Sequence, residues 1–213
     1  VEAFVRIRGI AVPMLQINID TDQIIPGPEI VRSADESYAR WGVGLFANQR
    51  YTDLNDHTPN PEFILNREPW SRGTILLADR NFGCGSSREP APRALRGFGF
   101  RVVIAPSFGG IFFGNCFRNG LLPVELPIES VRVLAAQMEA AGGHAQVEVD
   151  LESQTITAPD GTRFDFRTPP ALRRMLLEGI DEIGATLSMS ETIGAFRQRD
   201  RARRPWVYAP GSA

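Results

Sequence analysis

The chain is predicted to be an α/β protein built on a parallel sheet, with an additional small β layer and C-terminal helices. Three observations predict it. Strand-length apolar runs alternate with helix-length segments between residues 73 and 126, two alternating strands precede an Asp160-Gly161 turn, and helical segments follow Pro169. With 213 residues, 43% apolar and 23% charged, the chain can bury a core as one domain, expected over residues 1–200 with a tail at 201–213.

Each element has its own signal. In NIDTDQIIP (18–26), Asp20 and Asp22 flank Thr21, a pattern that shapes turns and caps helices and holds too few acids for a calcium loop. Residues 27–72 scatter Pro59, Pro61 and Pro69 among Asn48, Asn55, Asn60 and Asn66. They read as long ordered loops and short helices, expected to help wall a site. GTILLAD (73–79) is a strand, PRALRGFG a helix with Gly97 or Gly99 as its stop, and FRVVIAP (100–106) the next strand. That order is a βαβ unit, which implies parallel pairing through a right-handed crossover.

SFGGIFFGNCFRNG (107–120) reads as a second crossover helix from Ser107 to Gly120, leading to the strand LLPVEL (121–126). Phe112, Phe113 and Phe117 on it are expected in the core. PIESVRVLAAQMEAAGG is helical through Ile128, Val131, Leu134 and Met138. AQVEVDL, QTITA and TRFDF are strands, the last two joined across Asp160-Gly161. PPALRRMLLEGIDEIGATL and SETIGAFRQRDRARR are helices, the second with an arginine-rich solvated face.

Composition excludes several partners. A net charge of -2 and a pI near 5.8 favour neither nucleic acid nor an anionic membrane surface. No run of 18 apolar residues occurs, and VEAFVRIRGI has no signal-peptide core, so a cytoplasmic address with no membrane contact is expected. Cys84 and Cys116 are the only cysteines; they can form neither a disulfide framework nor the ligand set of an iron-sulfur cluster.

The chemistry concentrates in NFGCGSSREPAP (81–92). A loop leaving a parallel strand lies where open α/β sheets bind ligands. Gly83 and Gly85 let backbone N–H groups approach an anion, and Arg88 offers a forked donor for a carboxylate. Neither the Walker pattern nor the three-glycine dinucleotide pattern is present, so carboxylate fits better than nucleotide. Ser86 to Glu89 also spell the Ser-x-x-Glu of a capping box, although Pro90 fits that register poorly. Both readings of Ser86 stay open at this level.

Taken in order and spacing, NIDTDQIIP, NFGCGSSRE, VVIAPSFGGIFFGNCFRNGLLPV and VDLESQTI make the chain resemble the 3-isopropylmalate dehydratase small-subunit family, which is similar to the swivelling C-terminal domain of aconitase. The resemblance runs from about Gly9 to about Phe196. It implies an aconitase-like swivelling β/β/α fold and a hydro-lyase of leucine synthesis, interconverting 2- and 3-isopropylmalate through a dehydrated intermediate. It further implies a heterodimer whose [4Fe-4S] cluster belongs to the large subunit, with none on this chain. Ser86 is then the catalytic base, acting as an alkoxide. Arg88 binds the carboxylates of a small dicarboxylic acid, with Ser87, Gly85 and Asp22 completing the binding set.

Two departures from the family pattern bear on the substrate. Pro90 stands where relatives carry histidine, and SYARWGVG (37–44) replaces the usual specificity run. There Arg40 is expected to replace a displaced arginine and Trp41 to fill the apolar pocket. A paralogue acting on another alkylmalate or citraconate, and a non-catalytic carboxylate-binding subunit, are the alternatives.

Overall fold

In the computed structural model, which describes residues 2–33, 37–180 and 182–208, apolar strand residues divided alternately between two cores set the architecture. The described chain forms two compact units, Val1–Gly179 and Ile180–Ala213. The first opens with β1 (Arg6–Gly9) and β2 (Ala11–Met14), then four short helices, α1 (Thr21–Ile24), α2 (Gly27–Ser33), α3 (Tyr38–Val43) and α4 (Ala47–Arg50). A hairpin of β3 (Tyr51–Asp53) and β4 (Thr58–Pro59) and two 3-10 turns at Ile64–Asn66 and Trp70–Arg72 lead into β5 (Ile75–Ala78). The crossovers follow as α5 (Pro90–Phe98), β6 (Val102–Ala105), α6 (Gly110–Arg118) and β7 (Leu122–Glu125). α7 (Ile128–Ala140), β8 (Val147–Asp150), β9 (Thr155–Thr157), β10 (Arg163–Asp165) and α8 (Pro170–Glu178) complete the unit.

β2, β5, β6 and β7 pair in that order, all parallel. Ile75, Leu77, Val102 and Ile104 face one core with α7 and the antiparallel layer β1-β8-β9-β10; Leu76, Ala78, Val103 and Ala105 face a second core with α3 and α5. Each such fully buried valine, leucine or isoleucine is worth about 1.5–3 kcal/mol, so burial on both faces accounts for the unbroken apolar runs. Phe112 and Phe117 are in the core as expected, and Phe113 packs partly buried against it.

One seam is unusually close. A Cβ on Gly42 would lie 2.3 Å from the Gly97 carbonyl carbon, and one on Gly97 would lie 1.9 Å from the Tyr38 carbonyl oxygen. Only glycine lets α3 and α5 meet this way, and Trp41 closes over the junction, buried in the same core as Ala91, Ala94 and Leu95.

The structure corrects several expectations. β1 and β2 had no counterpart in the sequence reading: the exposed Arg6 and Arg8 mask the first, and Pro13 argues against the second, yet β2 is a sheet edge, where proline is tolerated. The helix expected from Ser107 begins at Gly110, because Ser107 and Gly109 bond to Phe82 instead. The helix expected over 169–187 ends at Glu178, where the chain turns left-handed at Gly179 and that N–H bonds to Leu176 and Met175. Residues 27–72 form the expected short helices but add the β3–β4 hairpin.

In the second unit, α9 (Glu182–Leu187) and α10 (Ser190–Arg203) precede a 3-10 turn at Pro205–Val207. α10 buries none of its residues. Residues 209–213, the end of the expected tail, lie outside the described residues. No described helix is long and apolar enough to cross a membrane.

Candidate active site

Residues 79–89 leave the C-terminal end of β5 and return as α5. Their first half is tied down. Asp79 accepts from its neighbour's N–H (Arg80, 2.6 Å), Asn81 N donates to Ser107 Oγ (2.9 Å), and Asn81 Nδ2 donates to Asn18 Oδ1 (2.8 Å). Phe82 bridges Phe108, and Gly109 N donates to Phe82 O. Gly83 sits at φ 71°, where a Cβ would fall 2.2 Å from the Phe112 ring; the position requires glycine for both reasons. The second half is open: Gly85, Ser86 and Ser87 are exposed.

The Asp-Thr-Asp segment forms the floor. Asp20 caps α1 by accepting from Gln23 N (2.7 Å), the turn role expected for such a residue. Its backbone pairs with Cys84 as a parallel bridge, and Gly83 N donates to Ile19 O (2.7 Å). Thr21, 1% exposed, clamps the loop twice. Its N–H donates to Cys84 O (3.0 Å) and its hydroxyl to Ser86 O (3.1 Å). Ser86 therefore has a fixed backbone and a free side chain.

No capping box forms. Glu89 is the cap residue of α5, no side chain caps the helix, and Pro90 opens it. Glu89 pairs with Arg93 (2.7 Å) instead. Among the described residues the hydroxyls of Ser86 and Ser87 make no hydrogen bond. The capping role that the sequence allows Ser86 is not what the molecule does with it.

Arg88 is 28% exposed and its Nη1 forms an ion pair with Asp22 Oδ1. Asp22 engages that one nitrogen, which is buried, so the pairing positions the guanidinium while Nε and Nη2 keep their donors. An arginine carries five N–H donors in a fixed fork, which suits a carboxylate. Burial pushes the Cys84 thiol up, and Asp20's charge adds to the effect; Cys116 is raised well above its ordinary value by burial. Both stay thiols at neutral pH, which makes them poor metal ligands. Among the described residues no three His, Cys, Asp or Glu side chains come together to hold a metal. The donors present do not fit an iron-sulfur cluster.

Of the expected site residues, the fold brings Gly85, Ser86, Ser87, Arg88 and Asp22 together. Arg40 stands exposed on α3, and its side chain makes no hydrogen bond or ion pair with any described residue. Its helix packs against α5 through the α3–α5 seam. The sequence reading missed Thr21 as the clamp on Ser86; its place between two aspartates was the available signal. The exposed apolar side chains Leu15, Ile17 and Ile111 stand on the segments that flank the loop, before Asn18 and after Gly109.

Comparison with known proteins identifies the family. The aconitase C-terminal domain family matches residues 1–129, a LeuD N-terminal family matches 132–170, and the C-terminal domain family of the 3-isopropylmalate dehydratase small subunit matches 182–209. The 3-isopropylmalate dehydratase small subunit of Cupriavidus necator is 48% identical over 99% of this chain and 100% of its own length. That of Roseobacter denitrificans is 46% identical over 97% and 100%. A solved 3-isopropylmalate dehydratase from Methanocaldococcus jannaschii superposes with a TM-score of 0.61 at 27% identity, covering 90% of this chain and 99% of that one.

Proposed function

The chain belongs to the 3-isopropylmalate dehydratase small-subunit family, and from that premise we propose that it supplies the base and the carboxylate clamp of a hydro-lyase completed by a large subunit. One observation carries the assignment of roles: Ser86 presents an unbonded hydroxyl at the surface, beside an arginine that Asp22 holds in place.

In this reading Arg88 takes a substrate carboxylate on its free N–H groups, with Ser87 and the Gly85 backbone assisting. Ser86 Oγ removes the proton from the carbon next to a carboxylate and keeps it, and the C–O bond on the adjacent carbon breaks with the hydroxyl leaving as hydroxide, which becomes water by taking a proton from an acid on the large-subunit side of the site. Re-addition at the neighbouring carbon reverses the step, and Ser86 returns the proton. The substrate is an isopropylmalate, passing through its unsaturated diacid. A serine alkoxide forms near neutral pH only with strong local stabilisation, which Arg88 and the loop N–H groups provide. A [4Fe-4S] cluster on the large subunit would supply Lewis-acid chemistry toward the leaving hydroxyl. The exposed Leu15, Ile17 and Ile111 support a partner surface around the loop. Residues 1–200 as the swivelling domain and a cytoplasmic location belong to the same proposal.

The test is reconstitution. The purified chain alone should show no turnover. Adding a cluster-loaded large subunit should produce the ultraviolet absorbance of an unsaturated diacid from 2- or 3-isopropylmalate. Faster turnover of citraconate or a methylmalate would assign the chain to a paralogous reaction. A fully loaded pair that is inert toward every alkylmalate and its dehydrated form would end the catalytic reading.

A further inference from the structure

A cavity of about 630 Å³ shares no lining residue with the Ser86 loop and is lined by Phe113, Glu125, Gln154, Arg167, Thr168 and the prolines that open α8. Its polar content is unusual. Arg167 and Glu125 carry opposite charges, and among the described residues neither side chain has a hydrogen-bond or ion-pair partner. Thr168 is 7% exposed and its Oγ1 is buried with no hydrogen-bond partner. Buried hydroxyls are nearly always bonded, so an orphan on a cavity wall is a group awaiting one.

The wall is held in this state by a costly conformation. Gln154 adopts φ 56°, a left-handed geometry that residues other than glycine rarely take. The turn lets its side-chain oxygen accept from Thr168 N (2.9 Å) while its backbone oxygen accepts from Phe166 N (3.0 Å). Its amide nitrogen makes no hydrogen bond within the described residues. The N-terminal end of the nine-residue α8 opens at the same wall without a side-chain cap, leaving N–H donors and a positive helix end there. Phe113 and Pro169 supply apolar surface.

We propose that this cavity binds a small zwitterion, an α-amino acid with an apolar side chain. The carboxylate is received by Arg167, the Thr168 hydroxyl and the start of α8, the ammonium by Glu125, and the apolar tail by Phe113. A simple carboxylate leaves Glu125 unanswered, and a simple amine leaves Arg167 unanswered. The inference does not depend on the role of Ser86.

Three probes sharing one tail separate these cases: L-leucine carries both charges, 4-methylpentanoate the carboxylate alone and 3-methylbutylamine the ammonium alone. Titrated calorimetrically into the full chain, L-leucine should bind saturably and more tightly than either analogue. Arg167→Gln and Glu125→Gln should each weaken it about tenfold or more. Both side chains are unpartnered at the surface, so neither substitution removes an internal contact; unchanged melting confirms that the fold is kept. Thr168→Val should leave the free protein as stable or more so, because it deletes an unbonded polar group, yet weaken L-leucine. Equal binding of 4-methylpentanoate with indifference to Glu125→Gln would overturn the zwitterion. Absence of L-leucine binding at millimolar concentration, or binding untouched by all three substitutions, would overturn the site.

Discussion

Two arginine–aspartate pairs in the first unit illustrate opposite uses of the same chemistry. In the antiparallel layer, Arg6 faces Asp150 across β1 and β8, and both Nε (2.8 Å) and Nη2 (2.5 Å) donate to the same carboxylate oxygen. The other oxygen accepts from Ser153 N (2.9 Å), and the Asp150 side chain is 9% exposed. At the edge of the parallel sheet, Arg88 meets Asp22 through one nitrogen, and the Asp22 side chain is 56% exposed. The first pair has closed its hydrogen-bond accounts; the second has left most of them open. An incomplete pair on an exposed loop is what a recognition site looks like before its ligand arrives.

The comparison can be broken in four places. The largest effect belongs to the group the open region serves. Ser86→Ala should lower kcat of the reconstituted pair about 10²- to 10⁴-fold, the usual loss for a general base, with unchanged melting. Retained activity would leave this chain a carboxylate binder only. Arg88→Lys keeps the charge and removes the fork, so kcat/KM should fall about 10- to 150-fold, corresponding to a charged hydrogen bond of roughly 1.5–3 kcal/mol.

Asp150→Asn tests the closed pair and should show the opposite signature: about 1–3 kcal/mol less stability by denaturant titration at neutral pH, with activity unchanged. Its pH dependence has a definite sign. Burial pushes the Asp150 carboxyl up, but the Ser153 N–H and Arg6 more than offset it, and the group lies below its ordinary value. A depressed carboxyl stabilises fully above the unfolded value, near ~3.9, and that stability is lost as pH falls through the lower folded value. The wild-type advantage over Asp150→Asn should therefore persist at neutral pH and vanish under strong acid. The smallest effect is Asp22→Asn. An exposed pair is worth at most about 1 kcal/mol, so KM should rise by no more than about fivefold while stability stays unchanged; a loss as large as that of Arg88→Lys would make Asp22 more than a positioning residue.

The parts of the fold that repeat a period were legible in the sequence. β5, β6 and β7 announce themselves by apolar runs, and the loop between β5 and α5 by its glycines and serines. What escaped depends on contacts made across the chain. The edge position that tolerates Pro13 and the Phe82 bonds that delay α6 become visible only once the sheet is assembled. Among site residues, Ser86 and Arg88 stood out by type and spacing. Thr21 did not, because a threonine that clamps Ser86 from 65 positions away reads locally as a turn. Thr168 lies in no motif, and Gln154 sits inside VDLESQTI with nothing local to single it out; an orphan hydroxyl and a left-handed glutamine are properties of a folded backbone.

The glycine seam between α3 and α5 has a consequence for redesign. Because neither Gly42 nor Gly97 has room for a methyl group, the segment expected to choose the substrate and the helix that follows the Ser86–Arg88 loop behave as one cassette. A transplant of residues 37–44 from a relative will keep its register only with glycine retained at both crossing points. If this segment selects the substrate as proposed, the freedom to retune it lies on the outward side of a short helix, where Arg40 stands exposed.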